Sequence, residues 1–101
     1  MGVNNMKKYI AFDFDSNGYI KMHVLTGKTK YDVADEYYIS RNNIYQYDLI
    51  ISMFKWLYNN NLNYFFKING YLYLYNRKQG EREPVRKMVT IKKALKAYLN
   101  R

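Results

Sequence analysis

The chain has 101 residues, which is enough for one domain around one hydrophobic core and too few for a second independent core. Apolar residues make up 49% of it and aromatic residues 19%, which excludes the composition of a disordered chain. A net charge of +9 favours acidic partners, and the lack of cysteine excludes disulfides and thiolate metal sites. We predict a single domain over residues 1–101.

The first third of the chain predicts a β-hairpin and a short helix. Residues 8–14 and 19–25 alternate as strands do, and residues 15–18 (DSNG) supply the turn between them. After the break at residues 26–28, apolar side chains recur on one side of a short helix. They are Tyr31, Val33, Ala34, Tyr37 and Tyr38.

The middle of the chain predicts helix. Apolar residues recur at helical spacing from Ile44 to Tyr58, which indicates one or two consecutive helices across residues 41–59. Ser40 can cap the first of them, because its hydroxyl can accept from free amides of the first turn.

The remaining elements are a second hairpin and a last helix. Asn69-Gly70 favours a two-residue turn between strands at 63–68 and 71–76. Residues 77–86 are polar, contain the only proline and predict a loop, after which Thr90 can cap a helix over 91–100. The predicted fold class is α+β, with two β-hairpins, a central helix pair and a basic C-terminal helix.

Positive charge is concentrated at the end of the chain. Residues 77–101 contain nine Lys or Arg residues against two Glu, a net charge of +7. The first 76 residues contain eight Lys or Arg against six Asp or Glu, a net charge of +2. An anionic partner is therefore expected to contact the C-terminal quarter.

Residues 30–49 (KYDVADEYYISRNNIYQYDL) resemble the bacterial helix-turn-helix motif. Ala34, Ile39 and Ile44 keep the five-residue intervals at which that family places a small residue, an apolar turn residue and a branched residue. Tyr38 stands where the family usually has glycine. The resemblance implies a recognition helix whose outward residues hydrogen-bond to bases. They are Ser40, Arg41, Asn42, Tyr45 and Gln46.

The resemblance implies a small basic DNA-binding protein similar to helix-turn-helix transcription regulators of phages or mobile elements. The Asn69-Gly70 hairpin would then be placed like the wing of a winged-helix protein. DNA is expected as the partner more than RNA, and basic residues outside the motif would contact phosphate. They are Lys67, Arg77, Lys78, Arg86, Lys92, Lys93 and Lys96.

Other interpretations of the same residues remain open. The two helices expected in residues 30–49 can simply pack against the core without binding DNA. Residues 13–20 (DFDSNGYI) resemble the start of an EF-hand calcium loop, but Val24 takes the place of its last ligand, and a hairpin turn is expected instead. The preceding strand with Asp13 and Asp15 also looks like that of haloacid-dehalogenase-type phosphatases, whose domain this chain cannot accommodate. We predict no enzyme activity, no cofactor and no metal site.

A protein partner is the alternative to nucleic acid. If Leu72 and Leu74 face the core, Tyr71, Tyr73 and Tyr75 form an exposed strip that suits base stacking and a protein interface equally. The alternative function is a phage-encoded inhibitor, of the anti-CRISPR or anti-defence kind, that binds a host nucleic-acid-processing protein or complex. No membrane partner is expected, the expected location is cytoplasmic, and a homodimer is compatible with the sequence.

Overall fold

The first hairpin consists of β1 (Lys7–Phe14) and β2 (Ile20–Gly27), in a computed structural model that describes residues 5–101. The Asp15 carboxylate accepts hydrogen bonds from the backbone amides of Asn17 (2.9 Å) and Tyr19 (3.0 Å), which closes the turn. The prediction of a hairpin turn here is confirmed.

The second hairpin consists of β4 (Asn63–Ile68) and β5 (Tyr71–Asn76), as predicted. Asn69 (φ 53°) and Gly70 (φ 85°) both adopt the left-handed conformation that a tight two-residue turn requires. Local turn chemistry is therefore sufficient to set the bounds of this hairpin.

Among the described residues, six strands form one antiparallel sheet in the order β3-β1-β2-β5-β4, where β3 is Ile44–Gln46, and β6 (Glu81–Pro84) pairs with β5 beside β2. The two hairpins join through a short ladder in which Lys21 pairs with Tyr71. The amide of Met22 donates to the Gly70 carbonyl at 2.9 Å in the same place. With three helices added, the fold class is α+β, as predicted.

Helices cover the two faces of the sheet unequally. On one face, α2 (Tyr47–Asn60) and α3 (Met88–Leu99) bury a core that includes Phe12, Leu72 and Ile91, all fully buried. On the other face, α1 (Lys30–Tyr37) covers the end formed by β1, β2 and β3, where Val33 packs against Ala11. In the part of the chain that the structure describes, the face over β4, β5 and β6 has no covering helix.

A capping box and a left-handed residue define the ends of α1. The Thr29 hydroxyl accepts from the Asp32 amide and the Asp32 carboxylate accepts from the Thr29 amide, each at 3.2 Å. Tyr38 ends the helix with φ 57° and ψ 41°, and its side chain is 94% exposed. The residue that stands where helix-turn-helix proteins have glycine thus adopts glycine's conformation.

The predicted helix across residues 41–59 is wrong in its first part. Arg41–Asn43 forms a single 3-10 turn, and Ser40 caps it by accepting from the Asn42 amide at 3.4 Å. The chain then continues as strand β3 (Ile44–Gln46) before α2 begins at Tyr47. The residues expected on a recognition helix therefore do not lie on a helix. They are Ser40, Arg41, Asn42, Tyr45 and Gln46.

Pairing with β1 explains this difference. Ile44 is buried opposite Ala11 on the face that α1 covers, whereas the Tyr45 ring meets the Phe12 ring at 6.0 Å on the opposite face. Burial of successive side chains on opposite faces satisfies a strand and not a helix. The ladder also pairs backbone groups of β1 that would otherwise lie at the sheet edge.

Three further expectations need correction. The predicted loop at 77–86 contains strand β6, because Glu81–Pro84 completes the second edge of β5. The last helix begins at Met88, with Lys87 as its cap residue, so Thr90 lies inside the helix and does not cap it. The Asn69-Gly70 hairpin is not placed like a wing, because residues 41–46 form no recognition helix for it to flank.

Candidate nucleic-acid interface

The open face of the sheet carries five aromatic rings. Because side chains alternate along a strand, the burial of Leu72 and Phe65 against the helices turns their strand neighbours to the other face. An exposed aromatic strip required Leu72 and Leu74 to face the core. Both do, since Leu72 is fully buried and Leu74 packs against the core. We call this surface the tyrosine face, and its rings are Tyr64, Phe66, Tyr71, Tyr73 and Tyr75.

The rings of the tyrosine face support one another. Phe66 and Tyr73 stack with centroids 5.6 Å apart and an interplanar angle of 23°. Tyr64 lies 5.3 Å from Tyr75 and 6.1 Å from Phe66. All five side chains are half-buried, so each is held by its neighbours and still presents surface to solvent.

Arginine side chains lie at both ends of this surface. The Arg77 guanidinium lies 4.6 Å from the Tyr58 ring centre and 4.7 Å from that of Tyr64, and it also donates to the Tyr58 carbonyl. At the other end the Arg86 guanidinium lies 4.4 Å from the Tyr19 ring centre. Both guanidinium groups are exposed and can still donate hydrogen bonds to a phosphate oxygen.

Acidic side chains of β6 lie on the opposite face. Arg82 pairs with Tyr75 and therefore shares the tyrosine face. Glu81 and Glu83 pair with Asn76 and Leu74, which places both carboxylates on the helix-covered side. Across residues 63–84 the tyrosine face consequently carries positive charge without a carboxylate.

Asp15 lies beside this surface in the turn before β2, where its carboxylate accepts hydrogen bonds from the Asn17 and Tyr19 amides. Burial alone would raise the pKa of its carboxyl, but hydrogen bonds from the Tyr19 amide, the Tyr71 side chain and the Asn17 amide, with the charge of Lys21, hold the pKa below its ordinary value of 3.8. The group is therefore ionised at neutral pH. The residues that the structure describes contain no cluster of three or more His, Cys, Asp or Glu side chains able to hold a metal ion.

The residues predicted to read bases lie apart from the tyrosine face. Arg41 and Asn42 are exposed on the 3-10 turn, and the Arg41 guanidinium lies 5.5 Å from the Tyr31 ring centre. Gln46 is exposed at the end of β3, whereas Tyr45 is half-buried against the core. These residues do not form one continuous outward surface.

The predicted phosphate contacts divide between the two sides of the sheet. Arg77 and Arg86 border the tyrosine face, and Lys78 is exposed in the turn next to Arg77. Lys67 pairs with Leu72 and so points to the helix-covered side. The helix α3 places a second group of cations on that same, helix-covered side. They are Lys92, Lys93 and Lys96.

Sequence reasoning missed several residues of this surface. Lys21, whose Nζ lies 5.2 Å from the Tyr71 ring centre, comes from the first hairpin and reaches the rings only through the junction of β2 with β5. Arg82 was placed in a loop, although the alternation of charge in residues 81–84 (EREP) is a strand-like signal. Tyr58 and Tyr19 are brought to the arginines by tertiary packing alone.

An apolar groove of about 450 Å³ lies on the helix-covered side, between the end of α2, the β4–β5 hairpin and the start of α3. Leu62 (61% exposed) and Val89 (49% exposed) line it. Asn61 also lines it, and its Nδ2 is buried without a hydrogen-bond partner. Within residues 5–101, none of the helices combines the length and the apolarity needed to cross a membrane.

Comparison with known proteins gives no relative for this site. The chain matches no protein-family model, no curated protein and no solved structure. The functional assignment therefore depends on the geometry of the tyrosine face and on the charges around it.

Proposed function

We propose that this protein binds nucleic acid, with DNA as the first candidate, through the tyrosine face of its sheet. The observation that carries the proposal is the combination of five aromatic rings and Arg82 on the open face of the sheet with Arg77 and Arg86 at its two ends. Every base has a π-face that can stack on an aromatic ring, and arginine is suited to bind phosphate oxygens. A surface of this composition can bind both the base and the phosphate of a nucleotide.

The proposal replaces the binding mode that the helix-turn-helix resemblance implied. Without an α-helix over residues 41–46, that segment provides no recognition helix for a major groove. The expected biological setting is unchanged: we propose a regulator of a phage or mobile element that acts in the cytoplasm, where its nucleic acid is processed.

Neutralising the arginines tests the proposal. A variant with Arg77, Arg82 and Arg86 changed to Gln is compared with the unmodified protein by fluorescence anisotropy of a labelled oligonucleotide, between about 50 and 200 mM salt. Each lost phosphate contact should reduce the slope of log affinity against log salt by about 1, a total of about 3. Circular dichroism checks that the variant is folded.

A matched variant removes the same charge from the other side of the sheet. Lys92, Lys93 and Lys96 are exposed on α3, and their change to Gln should leave the salt slope within about 1 of the original. Equal losses for the two variants would show that binding depends on total charge and not on the tyrosine face. Undetectable or salt-insensitive binding by the unmodified protein would exclude the proposed function.

The second candidate is an inhibitor of the anti-CRISPR or anti-defence kind that binds a host nucleic-acid-processing protein, and the apolar groove favours it. Leu62 and Val89 at this groove expose apolar surface of the type that forms the centre of protein interfaces. A host protein that stays bound after nuclease treatment, and is lost with Leu62→Asp, would support this candidate. Loss of every partner on nuclease treatment would favour nucleic-acid binding.

A further inference from the structure

A depression of about 410 Å³ lies on the tyrosine face where β2, β5 and β6 meet. Its size falls within the range of small-molecule sites, which is roughly 300–1,000 Å³. Three aromatic rings and a proline supply most of its walls, and two polar side chains complete it. The lining residues are Asp15, Asn17, Tyr19, Tyr71, Tyr73 and Pro84.

The walls of this depression suit a flat ring. The Tyr19 and Tyr71 rings are perpendicular, with an interplanar angle of 90° and centroids 6.4 Å apart. A planar ligand that stacks on one of these rings meets the edge of the other, and both arrangements are favourable between aromatic systems. Tyr73, held by its stack on Phe66, extends the same platform.

Contacts to both tyrosines hold the walls in place before a ligand binds. Lys21 Nζ lies 5.2 Å from the Tyr71 ring centre, and Arg86 Nη2 donates to the Tyr19 hydroxyl at 2.6 Å. Because these contacts already fix the rings, binding costs little additional ordering of side chains. The depression is therefore formed in the free protein.

Charge determines which end of a nucleotide enters. The ionised Asp15 carboxylate lines the depression and would repel a phosphate there, but it can accept from amino or imino groups of a base. Arg86 and Lys21, whose charged groups lie against the Tyr19 and Tyr71 rings, are the cations nearest the rim. A base fits inside, and its phosphate fits outside on Arg86.

We infer that this depression seats one unpaired nucleobase while the adjoining phosphate binds Arg86. The inference rests on the proposed function and narrows its substrate to nucleic acid with unpaired bases, that is, single strands, loops or ends. Bases inside a duplex are stacked and paired, so they present only their edges in the grooves and cannot lie flat on Tyr71 or Tyr73.

The test compares three labelled ligands of the same length. They are a single-stranded DNA oligonucleotide, the same backbone with abasic sites in place of its bases, and the corresponding duplex. The abasic strand keeps its phosphates but cannot stack, so its affinity should be about 5- to 150-fold lower than that of the intact strand. The duplex should also bind more weakly than the intact strand.

Two variants test whether the affinity difference between the intact and abasic strands arises at this depression. Tyr73→Leu should reduce affinity for the intact strand about 5-fold or more and leave that for the abasic strand unchanged. Tyr98→Leu, on α3 where the ring packs against Trp56, should leave the ratio of the two affinities unchanged. Quenching of a 2-aminopurine base in the strand on binding to the unmodified protein gives a readout that needs no variant.

The outcomes separate this inference from the proposed function. Three results would contradict binding of an unpaired base in this depression and would still allow nucleic-acid binding. They are equal affinity for the intact and abasic strands, preference for the duplex, and unquenched 2-aminopurine. Failure of all three ligands to bind would remove the proposed function itself.

Discussion

The Arg86 guanidinium lies 4.4 Å from the centre of the Tyr19 ring, and its Nη2 donates to the Tyr19 hydroxyl at 2.6 Å. The two residues are 67 positions apart, so the contact joins the segment after β6 to the turn before β2. Next to it the Ile20 amide donates to the Val85 carbonyl at 3.1 Å. The same arginine that we assign to phosphate binding therefore also helps to join the segment after β6 to the first hairpin.

Replacement of Arg86 by Gln should lower the free energy of unfolding by about 0.5–1 kcal/mol, the usual contribution of an exposed cation–π contact. Urea unfolding measures this change. Arg82→Gln is the control, because the described residues provide no hydrogen bond or ring contact to its side chain, and its effect should stay within about 0.5 kcal/mol. A larger effect at Arg82 than at Arg86 would contradict the structural role of the Tyr19 contact.

Gly27→Ala should destabilise the protein because of a close contact at the end of β2. A Cβ atom at Gly27 would lie 2.6 Å from Cγ2 of the fully buried Val33. Relieving this overlap requires α1 to move from the sheet, at a cost of about 1–3 kcal/mol in unfolding free energy. The cost should be smaller in a Val33→Ala background, where the colliding methyl group is gone, and an unchanged cost would show that packing is not the cause.

The hairpins could be predicted from sequence, because their turns depend on neighbouring residues. Asn69-Gly70 favours a turn with two positive φ angles, as both residues have here, and strands of the predicted length flank it. Residues 44–46 could not be predicted in the same way, since Ile44 fits both a helical stripe and a buried strand position. Pairing with β1, more than 30 positions earlier in the sequence, decides between the two.

Tyr38→Asn should stabilise the protein. Tyr38 has φ 57° and is 94% exposed, so the change relieves a left-handed conformation that tyrosine tolerates poorly and removes little packing. We expect a gain of about 0.5–1 kcal/mol, measured by chemical or thermal unfolding. Tyr37→Asn, inside α1 with a helical backbone, should give no gain. A loss of stability at Tyr38 would mean that its ring contributes contacts of its own.

Asp15 makes stability sensitive to acid. Its pKa in the folded protein lies below 3.8, because hydrogen bonds to its carboxylate outweigh the effect of burial. The unfolded chain therefore binds the proton more tightly, and the contribution of Asp15 is complete above about pH 3.8 and is lost as the pH falls through the folded value. Asp15→Asn should flatten the decline of unfolding free energy below about pH 4. Asp35→Asn, at an exposed position of α1, should keep the original decline, and an equally steep decline in Asp15→Asn would contradict the assignment.

The candidate site could be predicted only in part. Alternation places Tyr71, Tyr73 and Tyr75 on one face, but which face stays open depends on where α2 and α3 pack. The two rings that contact Arg77 could not be predicted from sequence either, because Tyr58 lies on a helix and is brought to Tyr64 by tertiary structure. The concentration of positive charge in the last 25 residues predicted that this end of the chain contacts an anionic partner. It could not predict that these charges are divided between the two faces of the sheet.

The most direct test of the central claim is an amide chemical-shift map of the protein during titration with a short single-stranded DNA oligonucleotide. Binding through the tyrosine face should shift amides of β4, β5 and β6 together with Lys21 and Arg86. Shifts confined to α3, or to the turn at Arg41 and Asn42, would contradict that account, as would an unchanged spectrum at saturating oligonucleotide.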